Sequence, residues 1–511
     1  MSASTAGQAS VSAEPVPRGR LTARLRAALP RRSPDRDVAT ANTATRFLDR
    51  PFASVQLLLL ASAGLLVFGV LMAISTTISA VYGPNGSGSI WGQSIKEVEF
   101  IAMGSVLFWF AVRLSPRAFR LLTYPILGLA TAALLAVLVP GVGVGVSGAR
   151  RWIDLGPFQL QPSELAKVAM LLWGADLLAR KQQLGTLRRA RHLFVPLLPG
   201  FGFVTLLVML EPDLGTTCCF MLILLGLLWM VGMPLRYFAL VIGAVAAAIT
   251  VLAVTAPYRL ARLTSFMDPF KDAKGSGYHT VEGLYALASG GLWGVGLGQG
   301  TSKYTWVPNA NSDFVFAIIG EELGMLGCAA VLALFGLFAY TGLRVVRRSA
   351  DPFVRLAAGA ATIWLCGQAV INIGYVTGML PVTGIPLPMI SAGGTSLLVT
   401  FFVLGMLVSF ARHEPAAVQA CRRAQRLGRR SRLQRWAAIP VPRGYAPPKR
   451  ASARSTAAAR PPAPAAAAPA RARAGNAASA RAGKAASARP GKPNRAAAAP
   501  LRPTGTESRR R

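Results

Sequence analysis

An all-α integral membrane protein of about ten transmembrane helices is the fold class this sequence predicts, on three observations. The 511-residue chain is 53% hydrophobic and only 15% charged, with a mean hydropathy of +0.44. Apolar stretches near the ~20 residues a helix needs to cross the hydrocarbon core recur from about residue 54 to 411. Stretches such as Leu57 to Ile74 do not alternate polar and apolar residues as barrel strands do. Lipid leaves helices and closed barrels as the only ways to satisfy backbone groups, so helices are expected.

The elements follow in order. Residues 1–50 are rich in Ala, Ser, Thr, Pro and Arg, without an apolar face, and read as a disordered arm. The membrane domain, 51–412, then carries spans near 54–75, 100–115, 119–140, 164–179, 193–210, 215–232, 236–256, 314–345, 354–378 and 393–411. Residues 413–511 are Ala/Pro/Arg low-complexity sequence and read as a disordered tail. The segment 141–162 is polar and Gly-rich, and 257–312 is a large loop between the seventh and eighth spans. Within that loop, Val281, Leu284, Tyr285, Leu287 and Ala288 fall at helical spacing, which predicts an interfacial amphipathic helix.

Charge orients the chain. The formal net charge is +35, and residues 413–511 alone hold 23 Lys or Arg against two acids. The arm, 113–120, 180–192, 233–236, 344–355 and the tail are the basic connections, and basic connections stay in the cytoplasm. Ten spans put both termini there, leaving 76–99, 141–162, 211–214, 257–312 and 379–392 outside. A charge excess on tails that flank membrane spans reads as topology signal and attraction to anionic lipid, so no nucleic-acid partner is expected. The five cysteines show neither metal nor disulfide spacing, and no short apolar core marks a cleavable signal peptide.

Ionisable residues at membrane depth are costly, so each is a functional candidate. Glu164 and Lys167, three residues apart at the outer end of the fourth span, form either a local ion pair or a substrate contact. Arg150 and Arg151, before Trp152, either snorkel to the interface or clamp a pyrophosphate. Glu211 and Asp213 flank Pro212 in a very short turn, solvated or touching a metal or sugar hydroxyl. Arg259, Arg262 and Lys271 lie in an outer loop, against the positive-inside trend, which hints at an anion. The run Gly290 to Gly300 lacks a Lys-Ser/Thr ending and a preceding strand, so it reads as flexible backbone near the membrane surface. His279 reads as a solvated loop residue. Asp313, at the mouth of the eighth span, is either a helix cap or a general base at the membrane surface. Glu321 and Glu322, two turns further in, need cationic partners, expected on a neighbouring helix.

Several segments together resemble the SEDS family (shape, elongation, division and sporulation), which includes FtsW, RodA and SpoVE. They are Arg151-Trp152-Ile153; Gln161 to Lys167; Glu211 to Thr216; Gly290 to Gln299; Asp313 to Gly324; Asn372 and Gly378 to Pro388; and Ile390 to Ser396. The resemblance spans roughly 52–412. It implies ten membrane helices and a glycosyltransferase that polymerises lipid II into peptidoglycan alongside a class B penicillin-binding transpeptidase. It implies an essential acid at Asp313. The Ser-Glu-x-x-Lys motif carries over to Glu164 and Lys167. Arg151, Arg259, Arg262, Gln299, Glu321 and Glu322 complete the expected substrate-binding set. The chain departs from the family where Pro308-Asn309-Ala310-Asn311-Ser312 replaces a Pro-Glu-Ala-His-Thr pattern, and where Ala392 replaces a Tyr. The disordered extensions resemble FtsW proteins of actinobacteria more than compact RodA proteins. That implies a plasma-membrane protein at the division septum, with division proteins as partners of the tail. A divalent cation, Mg or Mn, is the one cofactor this chemistry leaves open. The alternatives are a transporter that flips lipid II and a non-enzymatic scaffold.

Overall fold

A helix occupies each of the ten apolar segments in the computed structural model, which describes residues 48–82, 90–146, 149–156, 158–188, 193–254, 266–273, 275, 277–305, 311–427 and 440–445. The first three are α1 (Ala53–Tyr82), α2 (Ile90–Arg113) and α3 (Pro116–Leu138). A small sheet, β1 (Gly143–Val146), β2 (Ala149–Asp154) and β3 (Gln159–Leu160), leads into α4 (Pro162–Gln183). Then come α5 (Leu197–Leu210), α6 (Leu214–Val231) and α7 (Leu235–Val254). Two loop helices, α8 (Tyr278–Gly290) and α9 (Ser302–Thr305), precede α10 (Val315–Arg348), α11 (Pro352–Val376), α12 (Gly394–Arg412) and α13 (Pro415–Arg426). Among the described residues, six helices are long and apolar enough to cross a membrane: those at Ala53–Thr76, Pro116–Leu138, Leu214–Val231, Val315–Arg348, Pro352–Val376 and Gly394–Arg412.

Local chemistry sets the helix starts. Ser115 accepts the backbone N–H of Ala118 ahead of Pro116, and Asp351 accepts that of Phe353 ahead of Pro352. In both places a side-chain acceptor satisfies an orphan donor, and proline takes the position whose missing N–H costs nothing. α4 is the most polar of the long helices because it packs against α3, α5, α6, α11 and α12 rather than lipid. Its Glu164, Lys167 and Asp176 are all buried. α11 presents Ala357, Ala358, Gly359, Ala360 and Ala361, all buried, and a Cβ on Gly226 of α6 would lie 3.2 Å from Ala360 Cα. Small residues let the two backbones close up, which replaces the hydrophobic drive that lipid removes.

Three loop expectations change. The Gly-rich segment 141–162 folds into an antiparallel β1-β2-β3 meander, pairing Val144 with Trp152 and Ile153 with Leu160. Its glycines hid the strand alternation. The helix expected near 281–288 is present as α8, but it lies on protein. Thr280, Val281, Gly283, Ala286 and Gly290 are its buried face, while Tyr285 and Ala288 are exposed. Gly290 approaches so closely that a Cβ there would meet the Gly320 carbonyl at 1.9 Å. The segment expected to begin a disordered tail instead starts with the helix α13.

The glycine run is not loose backbone. α10 breaks at Gly324, whose φ of 66° and ψ of −165° suit glycine alone. The break frees carbonyls and N–H groups that apolar surroundings cannot satisfy. The run supplies their partners: Val295 N–H donates to the Glu321 carbonyl (2.9 Å) and Gly296 N–H to the Glu322 carbonyl (3.1 Å). In return the Met325 N–H donates to the Gly291 carbonyl (3.0 Å). A Cβ on Gly324 would lie 2.4 Å from Gly294 N. Gly324→Ala is therefore expected to cost at least the ~1–3 kcal/mol of a strained backbone, seen as a lower melting temperature in detergent. An unchanged melting temperature would mean the break tolerates a side chain.

Candidate functional site

Asp313 sits on a turn that precedes α10. The N-cap of that helix is Phe314, and Val315 is its first residue, so Asp313 lies outside the capping position. The backbone beneath it is fastened carbonyl by carbonyl. Ala392 N–H donates to the Asn311 carbonyl (2.9 Å), and Ser391 Oγ donates to the Ser312 carbonyl (2.6 Å). Asn372 Nδ2 donates to the Asp313 carbonyl (2.9 Å) and the Ile385 carbonyl (2.7 Å), and the Tyr375 hydroxyl lies 2.9 Å from the Asp313 carbonyl. Phe314 is wedged beneath, edge-on to Tyr375 and stacked on His279 of α8 at 6.1 Å. His279 is thus half-buried in the floor of the site rather than solvated. The carboxylate is half-buried and lies against Gly384, where a Cβ would stand 3.5 Å from Oδ2.

The Glu211–Asp213 turn reaches the other side of the same 383–385 segment, since a Cβ on Gly215 would lie 2.9 Å from the Thr383 carbonyl. Asp213 caps α6 by accepting from Thr216 N (3.0 Å) and Thr216 Oγ1 (2.7 Å), and it accepts from Gln161 Nε2 at 3.2 Å. Arg151, on β2, donates to the carbonyls of Glu211 and Pro212 and so ties the meander to the turn. Glu164 and Lys167 form a buried ion pair at 2.7 Å, with the Lys167 ammonium 5.3 Å from the centre of the Trp364 ring. The structure thus gathers Arg151, Glu164, Lys167, Glu211, Asp213 and Asp313 at one end of the bundle.

Glu211 is 1% exposed, and neither carboxylate oxygen has a hydrogen-bond partner among the described residues. Burial first, and Asp213 second, push its pKa up to about 8, against a smaller opposing effect of Arg151. The folded state therefore holds a proton that the unfolded chain releases above its ordinary carboxylate pKa. Stability from this group falls as pH rises, from that ordinary value to about 8, by at most ~1.4 kcal/mol per pH unit. Glu211→Gln is expected to flatten the fall, raising the melting temperature more at pH 8 than at pH 5. Equal shifts at both pH values would show that Glu211 does not hold the proton.

Glu321 and Glu322 serve a different place. Glu321 Oε1 accepts the N–H groups of Thr301 (2.8 Å) and Ser302 (3.1 Å), fixing the start of α9. Glu322 Oε1 accepts from Lys303 Nζ (2.7 Å) and Ser75 Oγ (2.5 Å), and the Lys303 and Glu322 side chains are wholly buried. The cation comes from the loop rather than a neighbouring span. Sequence reasoning missed Lys303 because only the fold brings it back across nineteen residues. Gln299 is exposed on the glycine run, and Arg259 and Arg262 lie outside the described residues. Among the described residues, no three His, Cys, Asp or Glu side chains converge to hold a metal ion.

Comparison with known proteins gives this architecture its relatives. The family model described as cell cycle protein, FtsW/RodA/SpoVE, matches residues 56–416. A Mycobacterium tuberculosis protein named probable peptidoglycan glycosyltransferase FtsW is 42% identical over 426 residues, covering 83% of this chain and 80% of that protein. Stage V sporulation protein E of Bacillus subtilis is 33% identical, covering 70% and 96%. Among solved structures, a chain of a peptidoglycan synthase complex that coordinates polymerization and crosslinking aligns with a TM-score of 0.55 at 28% identity, over 68% of this chain and 96% of that one. Thermus thermophilus RodA aligns with a TM-score of 0.51 at 26% identity, over 70% and 96%.

Proposed function

Because the chain belongs to the FtsW/RodA/SpoVE family, we propose that it polymerises lipid II into glycan strands at the outer face of the plasma membrane, with Asp313 as the base. The chain is a peptidoglycan glycosyltransferase of the FtsW kind, set in a membrane by apolar helices. The observation that carries the role of Asp313 is the pinning of its backbone. Three successive carbonyls, of Asn311, Ser312 and Asp313, are each held by the 391–392 segment or by α11, so the carboxylate is offered from a fixed frame. A base can act only if it is held within hydrogen-bond reach of the proton it removes.

In this reading Asp313 takes the proton from the acceptor sugar's 4-hydroxyl as that oxygen attacks the donor's anomeric carbon. Undecaprenyl diphosphate departs with the bonding electrons and needs charge stabilisation rather than protonation. Arg151, Lys167, Arg259 and Arg262 are the cations assigned to that charge. Glu164 holds the Lys167 ammonium in place through their 2.7 Å ion pair. Gln299, Glu321 and Glu322 border the loop through which the sugars approach. Both basic termini face the cytoplasm, ten helices cross the membrane, and the site faces outward. A class B penicillin-binding protein is the crosslinking partner in this reading, and support for a crosslinking partner comes from the similar chain of a complex that coordinates polymerization and crosslinking. The septum is the expected location, and division proteins are the partners of the tail.

The test is polymerisation of labelled lipid II by the full chain with its crosslinking partner, products resolved by gel. Glycan strands longer than a few disaccharides support the reading. Label that crosses reconstituted vesicles without any polymer would replace it with the transporter reading.

A further inference from the structure

At the far end of α10 from Asp313, Tyr340, Leu343, Arg344, Arg347 and Arg348 line a cavity of about 210 Å³. Their spacing of three and four residues puts all five on one stripe of the helix. The stripe is apolar in its first turn and cationic in its last. Tyr340 and Leu343 are 48% and 37% exposed on a helix long and apolar enough to cross a membrane, so they face lipid. Arg344 is anchored, donating to Ser54 Oγ (3.0 Å) and to the Leu48 carbonyl. Among the described residues neither Arg347 nor Arg348 has a salt bridge. Glu414 is the acid beside them. Burial raises its pKa, while Ser54, Arg348 and Arg344 work the other way.

Three guanidinium groups within one helical turn repel one another. The helix dipole and the positive-inside rule favour arginine here, but both are met equally well by side chains spread around the helix. Neither calls for a recess that gathers all three arginines beside the lipid-facing Tyr340 and Leu343. A ligand with an anionic head and an apolar body, meeting the protein at the membrane boundary, matches both halves. Arginine forks suit phosphate oxygens, and basic recesses between membrane helices suit phospholipid headgroups.

We propose that this stripe is a binding site for an anionic phospholipid, with Arg347 and Arg348 on the headgroup phosphate and Tyr340 and Leu343 against the glycerol and upper acyl chain. The site lies apart from the residues assigned to glycan synthesis and does not depend on that assignment. Arg344 holds the two helices together and is left intact in the test.

The test is native mass spectrometry of the full chain in detergent, titrated with palmitoyl-oleoyl phosphatidylglycerol or with the matching phosphatidylcholine. The parent is expected to retain phosphatidylglycerol in preference. Arg347→Gln/Arg348→Gln is expected to weaken that retention about thirty-fold, the worth of two basic residues at an anionic surface, with no effect on phosphatidylcholine. Leu343→Glu, which keeps every arginine but puts an anion on the apolar wall, is expected to do the same. A double variant that melts like the parent and retains phosphatidylglycerol equally well would overturn the proposal. So would displacement of the lipid by millimolar inorganic phosphate, which would mark a site for a free anion. Persistence of the lipid in phosphate supports the headgroup as the source.

Discussion

Asp313→Asn is expected to reduce glycan polymerisation by at least 10²–10⁴-fold, the usual worth of a positioned general base. The substitution keeps the shape of the side chain and leaves its backbone carbonyl free to accept from Asn372 and Tyr375 as before. The turn should therefore stay pinned, and the loss should appear in kcat with little change in KM. Insertion, folding and melting temperature should match the parent. The variant is informative because Asp313 stands one residue before Phe314, the N-cap of α10, so the charge is removed without changing the capping residue. Polymerisation within a few-fold of the parent would remove Asp313 from the role of base.

Lys303→Met is expected to destabilise the fold by about 3–5 kcal/mol, because it strands the Glu322 carboxylate with no exposure to water. Ser75 can still donate one hydrogen bond to Glu322, but a neutral hydroxyl does not replace an ammonium 2.7 Å away. Adding Glu322→Leu to Lys303→Met removes the stranded charge. Replacing a buried pair by apolar side chains of similar size is often neutral or stabilising, so the double variant should recover most of the loss. Unfolding of the two single variants and the double variant in detergent gives the coupling directly. A single variant within ~0.5 kcal/mol of the parent, the range of surface substitutions, would show that the pair does not hold the loop.

The two predictions also mark where the sequence was informative. The long helices were legible because lipid imposes a length and a composition that survive without any partner. Asp313 was legible as a candidate because an acid at the mouth of an apolar span stands out against its neighbours. What pins it was not: the bonds to Asn311, Ser312 and Asp313 end on backbone carbonyls, which leave no mark in side-chain identity. The same holds for the run Gly290 to Gly300, where glycines looked like looseness and prove to be clearance for backbone pairing. The partner of Glu322 was hidden because Lys303 belongs to a loop that looked solvated. The meander at 143–160 was hidden because glycine supplies no outward-facing side chain to alternate. α13 was hidden because alanine and arginine are common in both helices and unstructured tails.

The break in α10 bears on how the chain is made. A translocon delivers helices to the bilayer one at a time, and a helix delivered alone must satisfy its own backbone. α10 can do so only if it arrives unbroken, with Glu321 and Glu322 bonded along the axis. Its partners, Gly290 to Gly296, precede it in the chain and have already been synthesised by then. If α10 is delivered straight, completing the fold trades internal helix bonds for bonds to the run. A fault in that run would yield a protein inserted in the correct orientation, with every span in place, and yet unfinished.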